Sequence, residues 1–501
     1  MPMRSRVEVL IIGGGATGTG IARDLAMRGV EVVLVEAGDF AAGATGANHG
    51  MLHSGARYAV NDPMSARECT VEGEVLKHIA RFCIEDTGGL FVSARDDDEG
   101  YMDRFLPACR EAGIRAREID VAEVLGTEPG LDPGIKAAVE VPDASIDPFF
   151  LTLGNVGSAR AHGAIVMNHA PVRNIRRSGR RFEAMIGGKE RITADVVVNA
   201  AGSWAGETAA MLGASIPMCV DKGTMVVFNG RLVGRLVNRL RPPSDGDILV
   251  PHRTATILGT TSSAGAPGAP ATSAEVERLI VEAAAVYPGI RTARAVRAYA
   301  GTRPLLGGGS TGRKATRTFQ VIDHGPDGVD GLISVAGGKL TTFRLMAEKA
   351  SDAVMEKLGR TARCRTADEE IAPFDDEPSS LFDLEAMRYR RGRSEGVSLA
   401  PACGCEAVSR GELELQASSP DVMDMGDLMR RTRAGMGYCQ AGLCAVSMAS
   451  AIGAGTKELR RYLGERWKGV EPVLFGEQLR QEAFKAHLMK VYSVDHTEAV
   501  E

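Results

Sequence analysis

The chain has 501 residues, long enough for two to four domains with their own cores, and its 44% hydrophobic and 25% charged residues are ordinary for a soluble globular protein. Its formal net charge of −5 gives no electrostatic reason to expect nucleic acid as a partner, and no apolar run is long enough to span a bilayer. We therefore expect a cytoplasmic protein that does not bind nucleic acid.

Strand and helix patterns alternate from the N-terminus to about Lys357. The strand candidates are 7–12, 30–36, 194–202, 224–228 and 331–338, and the helix candidates are 17–29, 273–287 and 341–359. This alternation predicts an α/β fold in residues 1–362, with a nucleotide-binding domain interleaved with a more antiparallel α+β domain. An acidic, proline-containing stretch predicts a linker at 363–398, followed by a compact cysteine-containing segment (399–455) and a helical tail (456–501).

The stretch "VEVLIIGGGATGTGIARDLAMRGVEVVLVE" has the pattern of a strand, a tight glycine turn, a helix and a second strand that ends in an acidic residue. Gly13 permits the sharp turn, Gly15 lets the backbone approach a pyrophosphate, and Gly18 lets the helix pack closely on the strand. Glu36 ends the second strand, where its carboxylate can accept hydrogen bonds from ribose hydroxyls. The phosphates would lie at the helix N-terminus, where free N–H groups favour negative charge. This unit predicts a Rossmann-type site for NAD or FAD.

Two later segments favour FAD over NAD. "VVVNAAGSWA" (196–205) ends a strand in Ala-Ala-Gly, and "GLISVAGGKLTTFRL" (331–345) passes through Gly-Gly into a helix. An NAD site needs one βαβ unit, whereas several distant segments usually return to one cleft to bind the longer FAD. The helix that starts near Leu340 would direct its positive end at the flavin, where negative charge accumulates on reduction. We expect cofactor contacts at Ala201, Gly202, Gly337, Gly338, Leu340 and Thr341.

Four cysteines cluster near the C-terminus in two close pairs. Cys403 and Cys405 form a C-x-C pair, and Cys439 and Cys444 form a later C-x₄-C pair. Zinc sites more often use C-x₂-C pairs, whereas the spacing in iron–sulfur proteins varies more widely. The spacing resembles the small helical [2Fe-2S] domain of bacterioferritin-associated ferredoxin, with zinc and structural thiols or a disulfide as alternatives. The basic stretch "RRTRAG" (430–435) between the pairs is interpreted as a solvated helix end.

Several segments together carry a family resemblance. "GGGATGTGIARDLAMRG", "GATGANHGMLHSGARYAV", "YAGTRPLL" and "GGKLTTFRLMAE" resemble the FAD-dependent glycerol-3-phosphate dehydrogenases, which belong to the flavoenzymes related to D-amino-acid oxidase. Further segments, among them "RRTRAGMGYCQAGLC" and "ERWKGVEP", resemble the catalytic (A) subunits of the anaerobic enzymes. The resemblance covers nearly the full chain and is weakest across 360–400. "DPFFL" (147–151) departs from it, with Phe150 where the family pattern has an arginine.

The resemblance implies roles for residues of "NHGMLHSGARYAV" (48–60). His53 is the expected base, because an alcohol C–H becomes a hydride donor only as its hydroxyl proton leaves. His49 is expected to contact the flavin or to hold the loop. A phosphomonoester calls for forked guanidinium donors and an ammonium group. The matching residues are Arg57, Tyr58, Arg303 and Lys339 for the substrate, with Arg303 also in catalysis, and Thr45 and Gly46 for FAD.

The resemblance implies an FAD and [2Fe-2S] enzyme that oxidises sn-glycerol 3-phosphate to dihydroxyacetone phosphate by hydride transfer from C2 to the flavin. Electrons would pass through the cluster to partner subunits, namely a flavoprotein and a membrane-anchored iron–sulfur protein, and finally to quinone. The chain would then be held peripherally at the cytoplasmic face of the membrane. Two alternatives stay open: a dehydrogenase of L-2-hydroxyglutarate or an amino acid, and a non-catalytic electron-transfer subunit.

Overall fold

The computed structural model describes residues 6–188, 190–307, 312, 317–371, 393 and 395–494. The helices are α1 (Ala16–Met27), α2 (Pro63–Ile79), α3 (Tyr101–Glu111), α4 (Val121–Thr127), α5 (Pro148–Ala161), α6 (Ala205–Ala210), α7 (Ser273–Ala283), α8 (Phe343–Lys357), α9 (Arg410–Ala417), α10 (Met425–Thr432), α11 (Ala445–Ala451), α12 (Thr456–Val470) and α13 (Glu477–Val491). The strands are β1 (Arg6–Ile12), β2 (Val32–Val35), β3 (Met51–Leu52), β4 (Ile84–Glu85), β5 (Gly89–Ser93), β6 (Arg117–Ile119), β7 (Ala137–Val141), β8 (Ala144–Ile146), β9 (Ile165–Met167), β10 (Val172–Ser178), β11 (Arg181–Ile186), β12 (Glu190–Asn199), β13 (Met218–Asn229), β14 (Leu236–Arg239), β15 (Ile248–His252), β16 (Ala255–Gly259), β17 (Ser263–Ala264), β18 (Ala295–Leu306), β19 (Phe319–Asp323), β20 (Leu332–Gly337), β21 (Pro401–Cys403) and β22 (Val408–Ser409).

The first sheet is built around the predicted nucleotide-binding unit. Its central strands run parallel in the order β9-β2-β1-β12-β20, and the hairpin β10–β11 and strand β19 extend it by antiparallel pairing. Helices α1, α5 and α8 cover one face, and α6 packs on the other. Because both faces are buried, β1 and β2 are continuous apolar runs rather than alternating ones.

The second sheet is mostly antiparallel and is formed by segments that interrupt the first sheet in sequence. Its order is β17-β13-β16-β15-β14-β5-β7-β6, with β18 also paired to β13. Among the described strands of this second sheet, only β14 and β5 pair in parallel. Helix α7 packs on this sheet over a core of its own. The predicted interleaved α/β architecture is confirmed, and the predicted strand at 224–228 is the centre of the longer β13.

Residues 395–494, called the C-terminal unit below, contain helices α9 to α13 and the hairpin β21–β22. Their core includes Cys403 and Cys444. The helices that the sequence places in a tail contribute to the same core through Leu459, Tyr462 and Met489.

The first residues of the predicted linker lie against the cofactor domain. Arg23 of α1 donates a hydrogen bond from Nη2 to the Glu369 carbonyl at 2.6 Å, and Ile371 is buried beside helices α2 and α5. The rest of the predicted linker, except Arg393 and 395–398, lies outside the described residues. Among the helices described, none has the length and apolar character needed to cross a membrane.

Candidate active site and cysteine cluster

A cavity of about 1360 Å³ lies where the carboxyl ends of β1, β2, β12 and β20 face the second sheet. This is the edge at which ligands bind in open parallel sheets. Nearly all of the predicted cofactor and substrate residues line this cavity, namely Gly13, Gly15, Glu36, Thr45, His49, His53, Arg57, Tyr58, Ala201, Gly202, Arg303, Gly337, Gly338, Lys339, Leu340 and Thr341. Gly18 and Gly46 lie outside the lining.

The glycine turn after β1 forms a cradle that no side chain could share. Gly13 has a φ of +116°, and a Cβ there would overlap the Ala200 carbonyl. A Cβ at Gly18 would overlap the Gly13 carbonyl, so this glycine serves close packing of α1, as its place in the motif predicts. Gly15 is the N-cap of α1, and Thr45 Oγ1 accepts the backbone N–H of Ala16 at 3.0 Å.

Two predicted cofactor residues, Glu36 and Gly46, make close contacts within the protein itself. The Glu36 carboxylate accepts the N–H of Gly14 at 2.6 Å and that of Gly38 at 2.8 Å, which holds it at the cavity wall beyond β2. Its contact with a ribose therefore stays a prediction. Gly46 allows a close approach, since a Cβ there would overlap the Ala41 carbonyl and the Phe149 ring.

The Gly-Gly turn that follows β20 forms another part of the cavity wall. Gly337 and Gly338 have φ values of +84° and +83°, which favour glycine. The predicted helix at 341–359 starts as a 3₁₀ turn (Leu340–Thr342) and continues as α8. Thr341 Oγ1 accepts a hydrogen bond from the backbone N–H of His53 at 3.1 Å, so this turn also positions the residue expected to act as the base.

These features fit FAD. The cavity exceeds the roughly 300–1,000 Å³ of ordinary small-molecule pockets, which leaves room for a dinucleotide and a substrate together. The N-terminus of α1 faces the cavity, where a pyrophosphate would be favoured, and the turn that begins α8 lies beside it, with Thr17 Oγ1 4.0 Å from Met346 Sδ.

His53 lies in a group of aromatic rings at the inner wall. Its ring centroid is 5.8 Å from that of His49 and 5.2 Å from that of Tyr58. Burial lowers the pKa of His53 well below its usual value, and the charges of neighbouring groups, including Arg57 and Lys339, lower it further. The Nδ1 atoms of both histidines are buried without a hydrogen-bond partner among the described residues. Both rings are therefore neutral near pH 7.

Each expected cation of the substrate site is held by a protein group. Arg57 Nη2 donates to Asp247 Oδ2 at 3.0 Å, and Arg303 Nη1 donates to Asp221 Oδ2 at 2.5 Å. Burial lowers the pKa of Arg303, whereas Asp221 opposes this effect. Lys339 Nζ lies 5.2 Å from the Tyr58 ring centroid.

A fourth cation, Arg317, was not predicted from the sequence. It lines the cavity, and its backbone N–H donates to Asp62 Oδ2 at 2.9 Å. Lys339 Nζ donates to the Arg317 carbonyl at 2.9 Å, which ties the two basic residues together. The sequence feature that could have indicated it is its position two residues before β19, the strand that pairs with β20. Phe150, which departs from the family pattern, is half-buried beside an apolar cluster that includes Leu76 and Ile371, and it does not line the cavity.

The four predicted cysteine ligands lie together in the C-terminal unit. Cys405 Sγ is 3.7 Å from Cys403 Sγ and 3.8 Å from Cys439 Sγ. Hydrogen bonds from the Cys405 and Cys444 thiols hold the pKa of Cys403 at about 2, and Cys405 lowers the pKa of Cys439 to about 6. The same contacts raise the pKa of Cys405 and Cys444 above the ordinary thiol value. Four neighbouring cysteine sulfurs in two pairs along the chain are the donor set of a metal centre.

The interpretation of "RRTRAG" as a solvated helix end is wrong. Arg430 Nε and Arg431 Nη1 donate to Asp39 Oδ2 at 2.6 and 2.8 Å, and Arg433 Nη1 donates to Asp147 Oδ2 at 2.5 Å. Arg431 and Arg433 are buried. The three arginines therefore join the C-terminal unit to the cofactor domain.

A histidine adds to this junction. His169 Nε2 lies 2.9 Å from Asp427 Oδ2, and Asp427 also accepts a hydrogen bond from Arg430 Nη2 at 3.1 Å. The network of ion pairs thus continues from α10 to the loop after β9.

Known proteins resemble this chain along nearly its whole length. The family described as FAD dependent oxidoreductase matches residues 8–352. Two relatives are the A-type subunits, named A and A1, of anaerobic glycerol-3-phosphate dehydrogenases. The chain is 42% identical to the first, from Escherichia coli (strain K12), and the match covers 95% of each chain. It is 40% identical to the second, from Haloferax volcanii, over 99% of this chain and 92% of that one.

A solved structure has the same fold over most of the chain. The glycerol-3-phosphate dehydrogenase from Bacillus halodurans complexed with FAD matches with a TM-score of 0.66 and 22% identity, covering 94% of this chain and 97% of that chain. At this identity the likeness concerns the fold alone. The sequence matches go further: the chain belongs to the FAD-dependent oxidoreductases and, among them, to the family of the anaerobic glycerol-3-phosphate dehydrogenase A subunits.

Proposed function

We propose that the protein oxidises sn-glycerol 3-phosphate to dihydroxyacetone phosphate in the cavity. The observation that carries this proposal is the convergence of Arg57, Arg303, Arg317 and Lys339 on the wall that holds His53. Four cations at one end of a cofactor cavity favour an anionic ligand, and a phosphate dianion with several acceptor oxygens suits forked donors especially well. The names of the relatives support the same substrate.

His53 is the proposed base that accepts the proton of the C2 hydroxyl. Its ring is neutral near pH 7, because burial and neighbouring cations lower its pKa. A bound phosphate dianion would offset those cations and raise the pKa of His53 toward the range in which a base is effective. FAD, when bound, supplies the two-electron acceptor for the hydride that leaves C2.

Tyr58 and Lys339 would fix the substrate beside His53. Burial raises the pKa of Tyr58 to about 12, so its hydroxyl stays protonated and can donate a hydrogen bond. Arg57 and Arg303 are held from behind by Asp247 and Asp221, which leaves them in defined orientations toward the cavity. This arrangement favours one position of the phosphate and hence one position of C2.

The cysteines are proposed to hold a [2Fe-2S] cluster rather than zinc. A tetrahedral zinc site, with zinc–sulfur bonds of about 2.3 Å, brings every pair of sulfurs to about 3.8 Å. Among the described His, Cys, Asp and Glu side chains, three ligand atoms within 4.8 Å of one another occur at Asp39, His169 and Asp427, and no three of the cysteine sulfurs reach that spacing. Both close contacts involve the Cys405 sulfur, so the four sulfurs do not form one compact tetrahedron, and the C-x-C and C-x₄-C spacing supports the two-iron centre.

Anaerobic reduction of the purified holoprotein tests the substrate. Glycerol 3-phosphate should bleach the flavin, whereas L-2-hydroxyglutarate and amino acids should leave it oxidised. Rapid bleaching by L-2-hydroxyglutarate, with none by glycerol 3-phosphate, would assign the protein to the alternative dehydrogenases. No bleaching by any compound would favour a subunit that only relays electrons.

The electrons are proposed to leave toward two partner subunits, a flavoprotein and a membrane-anchored iron–sulfur protein, and then to quinone, with the chain held peripherally at the membrane. The relatives are named as subunits, which implies other subunits for those proteins. In the described chain, 11 of the 16 exposed large apolar side chains lie between Leu399 and Tyr492. Two of them, Tyr438 and Leu443, directly precede Cys439 and Cys444. Such clustering is typical of a protein–protein contact.

Charge substitutions on α13 test this partner contact. Leu479→Glu with Phe484→Glu should release the chain from host membranes while flavin bleaching by glycerol 3-phosphate stays normal. Val71→Glu, at an exposed apolar position on α2, is the control. Membrane association that survives in the double variant would contradict the proposed contact. Binding of the purified chain to protein-free lipid vesicles would replace the partner with the lipid itself.

A further inference from the structure

Arg433 connects the two redox regions of the molecule by direct hydrogen bonds. Its Nη1 donates to Asp147 Oδ2 at 2.5 Å and lies 3.3 Å from His252 Nε2, and its Nε donates to Glu406 Oε2 at 2.8 Å. Glu406 directly follows Cys405 in the chain. Asp147 is the N-cap of α5 and His252 is the last residue of β15, so both lie outside the C-terminal unit.

The contacts continue from His252 to the cavity wall. A Cβ on Gly50 would lie 3.3 Å from His252 Nδ1, so ring and backbone are in close contact there. The Gly50 carbonyl accepts the Ile146 N–H at 2.8 Å, which ties this point to the residue before Asp147. The neighbours of Gly50 on both sides, His49 and Met51, line the cavity.

The backbone conformation of Arg433 is unfavourable for an arginine, which indicates that the side chain is needed at this position. Arg433 is the C-cap of α10 with a φ of +66°, a conformation in which glycine is strongly preferred. The guanidinium is nevertheless buried, with Glu406 and Asp147 as its two charged partners. A strained backbone with a buried, paired charge is typical of a functional constraint.

We propose that Arg433 is a positioning residue that holds the cysteine cluster against the cavity wall at Gly50 and so sets the separation between flavin and cluster. This inference rests on the proposed function. Glycerol 3-phosphate releases two electrons, whereas an iron–sulfur centre takes one at a time, so two transfers follow each turnover. The second transfer follows removal of the first electron by an external acceptor, such as a quinone or a one-electron dye.

The main variant is Arg433→Gly, which removes the guanidinium while giving the backbone the residue that suits a positive φ. Asp147→Asn is the second variant: it removes the charged partner on the other side, and asparagine remains a good N-cap for α5. Arg410→Gln, which removes an exposed ion pair to Glu414 within the C-terminal unit, is the control.

Amide hydrogen exchange of the oxidised holoprotein reads the docking directly, without substrate. In Arg433→Gly and Asp147→Asn, peptides covering 144–150 and 428–436 should exchange at least about tenfold faster, because removing one partner of a buried ion pair in an interface weakens it by more than that factor. The control should match wild type. Wild-type exchange in both variants would overturn the proposal. If Arg433→Gly loses iron, Asp147→Asn decides, since it lies outside the C-terminal unit.

Electron transfer is followed separately by rapid mixing with glycerol 3-phosphate under anaerobic conditions. Flavin bleaching in Arg433→Gly should keep the wild-type rate, because Arg433 does not line the cavity. The electron paramagnetic resonance signal of the reduced cluster should appear at least about tenfold more slowly than in wild type, in line with the loosened contact. An opened interface with an unchanged rate of signal appearance would overturn the positioning role. If glycerol 3-phosphate fails to bleach even wild type, the proposed function fails, and the exchange data still decide the docking.

Discussion

Arg303 and Asp221 face each other across the paired strands β18 and β13, and Arg303 Nη1 donates a hydrogen bond to Asp221 Oδ2 at 2.5 Å. Arg303 Nη2 donates to Thr260 Oγ1 and to the Thr261 carbonyl. The guanidinium is thus held by two strands and a loop while it lines the cavity. An arginine held in this way presents its charge to a ligand in one orientation, which lowers the entropic cost of binding.

Arg303→Ala should weaken binding of glycerol 3-phosphate by about 10- to 150-fold, because a charged hydrogen bond contributes roughly 1.5–3 kcal/mol. The loss should be much smaller for glycerol, which has no phosphate to lose a contact. Steady-state kcat/KM for both compounds measures the difference. Equal losses for glycerol and its phosphate would show that Arg303 does not bind the phosphate.

Asp221→Asn should also raise KM for glycerol 3-phosphate, by less than Arg303→Ala, because the guanidinium is kept but its orientation is loosened. If Asp221 acts through Arg303, the double variant should be no worse than Arg303→Ala alone. The cycle is measured as kcat/KM for the four proteins. Additive losses would assign Asp221 a role of its own.

Local patterns account for the parts of the fold and site that the sequence predicted well. The turn at Gly13, Gly15 and Gly18 lies within one strand–helix–strand unit, so spacing alone defines it. His53 and Arg303 come from distant segments of the chain, and only the family resemblance predicted that they belong to one site. These residues do line one cavity, whereas their chemical roles stay predictions.

Partners distant in sequence explain what was missed. Arg430 and Arg433 pair with Asp39 and Asp147, which are 391 and 286 residues away in the chain. A basic helix end is ordinarily solvated and favoured by the helix dipole, so nothing local distinguished these arginines. Arg317 was missed for the same reason, since only the pairing of β19 with β20 places it at the cavity.

His53→Gln should slow flavin bleaching by glycerol 3-phosphate by about 10²–10⁴-fold, the usual contribution of a positioned acid or base. Glutamine keeps the size and polarity of the side chain but cannot accept the proton. Stopped-flow bleaching across pH measures the rate. His162→Gln, at an exposed position at the end of helix α5, is the control. A variant that reduces its flavin at the wild-type rate would move the base elsewhere.

Acid should destabilise the fold through three buried histidines. Burial lowers the pKa of His49 and His252 to about 3 and that of His53 well below its usual value. In the unfolded chain each would bind its proton near pH 6.5, so unfolding takes up protons below that pH. The free energy of unfolding should therefore fall as pH drops from about 6.5 toward 5, by up to about 1.4 kcal/mol per pH unit for each histidine.

Substitution of one of these histidines checks the acid effect. The Tm of wild type should fall between pH 6.5 and pH 5, and that of His49→Gln should fall less steeply, because one fewer proton is taken up on unfolding. Above about pH 7 the two curves should run parallel. An identical fall in Tm for both proteins would show that His49 is not held in its uncharged form by burial.

Gly18→Ala should impair FAD retention, because the added Cβ would overlap the Gly13 carbonyl and push α1 away from the turn. Gly157→Ala is a matched control on helix α5, where a Cβ meets nothing within 4 Å. The control should be neutral or stabilising by about 0.5–1 kcal/mol, since alanine favours a helix. FAD per chain after gel filtration and Tm distinguish the two. Full FAD retention in Gly18→Ala would contradict the close packing of the turn.

Cys403→Ser should remove iron but leave FAD bound and reducible by glycerol 3-phosphate. The cysteines lie in the core of the C-terminal unit, whereas the cavity and its two sheets have cores of their own. Loss of one of four thiolates removes a ligand that serine does not replace well, because a thiol is far more readily deprotonated than a hydroxyl. Metal analysis and the electron paramagnetic resonance signal after reduction follow the cluster, and anaerobic bleaching follows the flavin.

The control for this variant is Cys219→Ser, on β13 and away from the cluster, which should keep both iron and FAD. Wild-type protein purified anaerobically should hold about two irons per chain if the four cysteines form a [2Fe-2S] centre. One equivalent of zinc without iron would instead make the cluster a structural site, and electrons would then have to leave the flavin by another route.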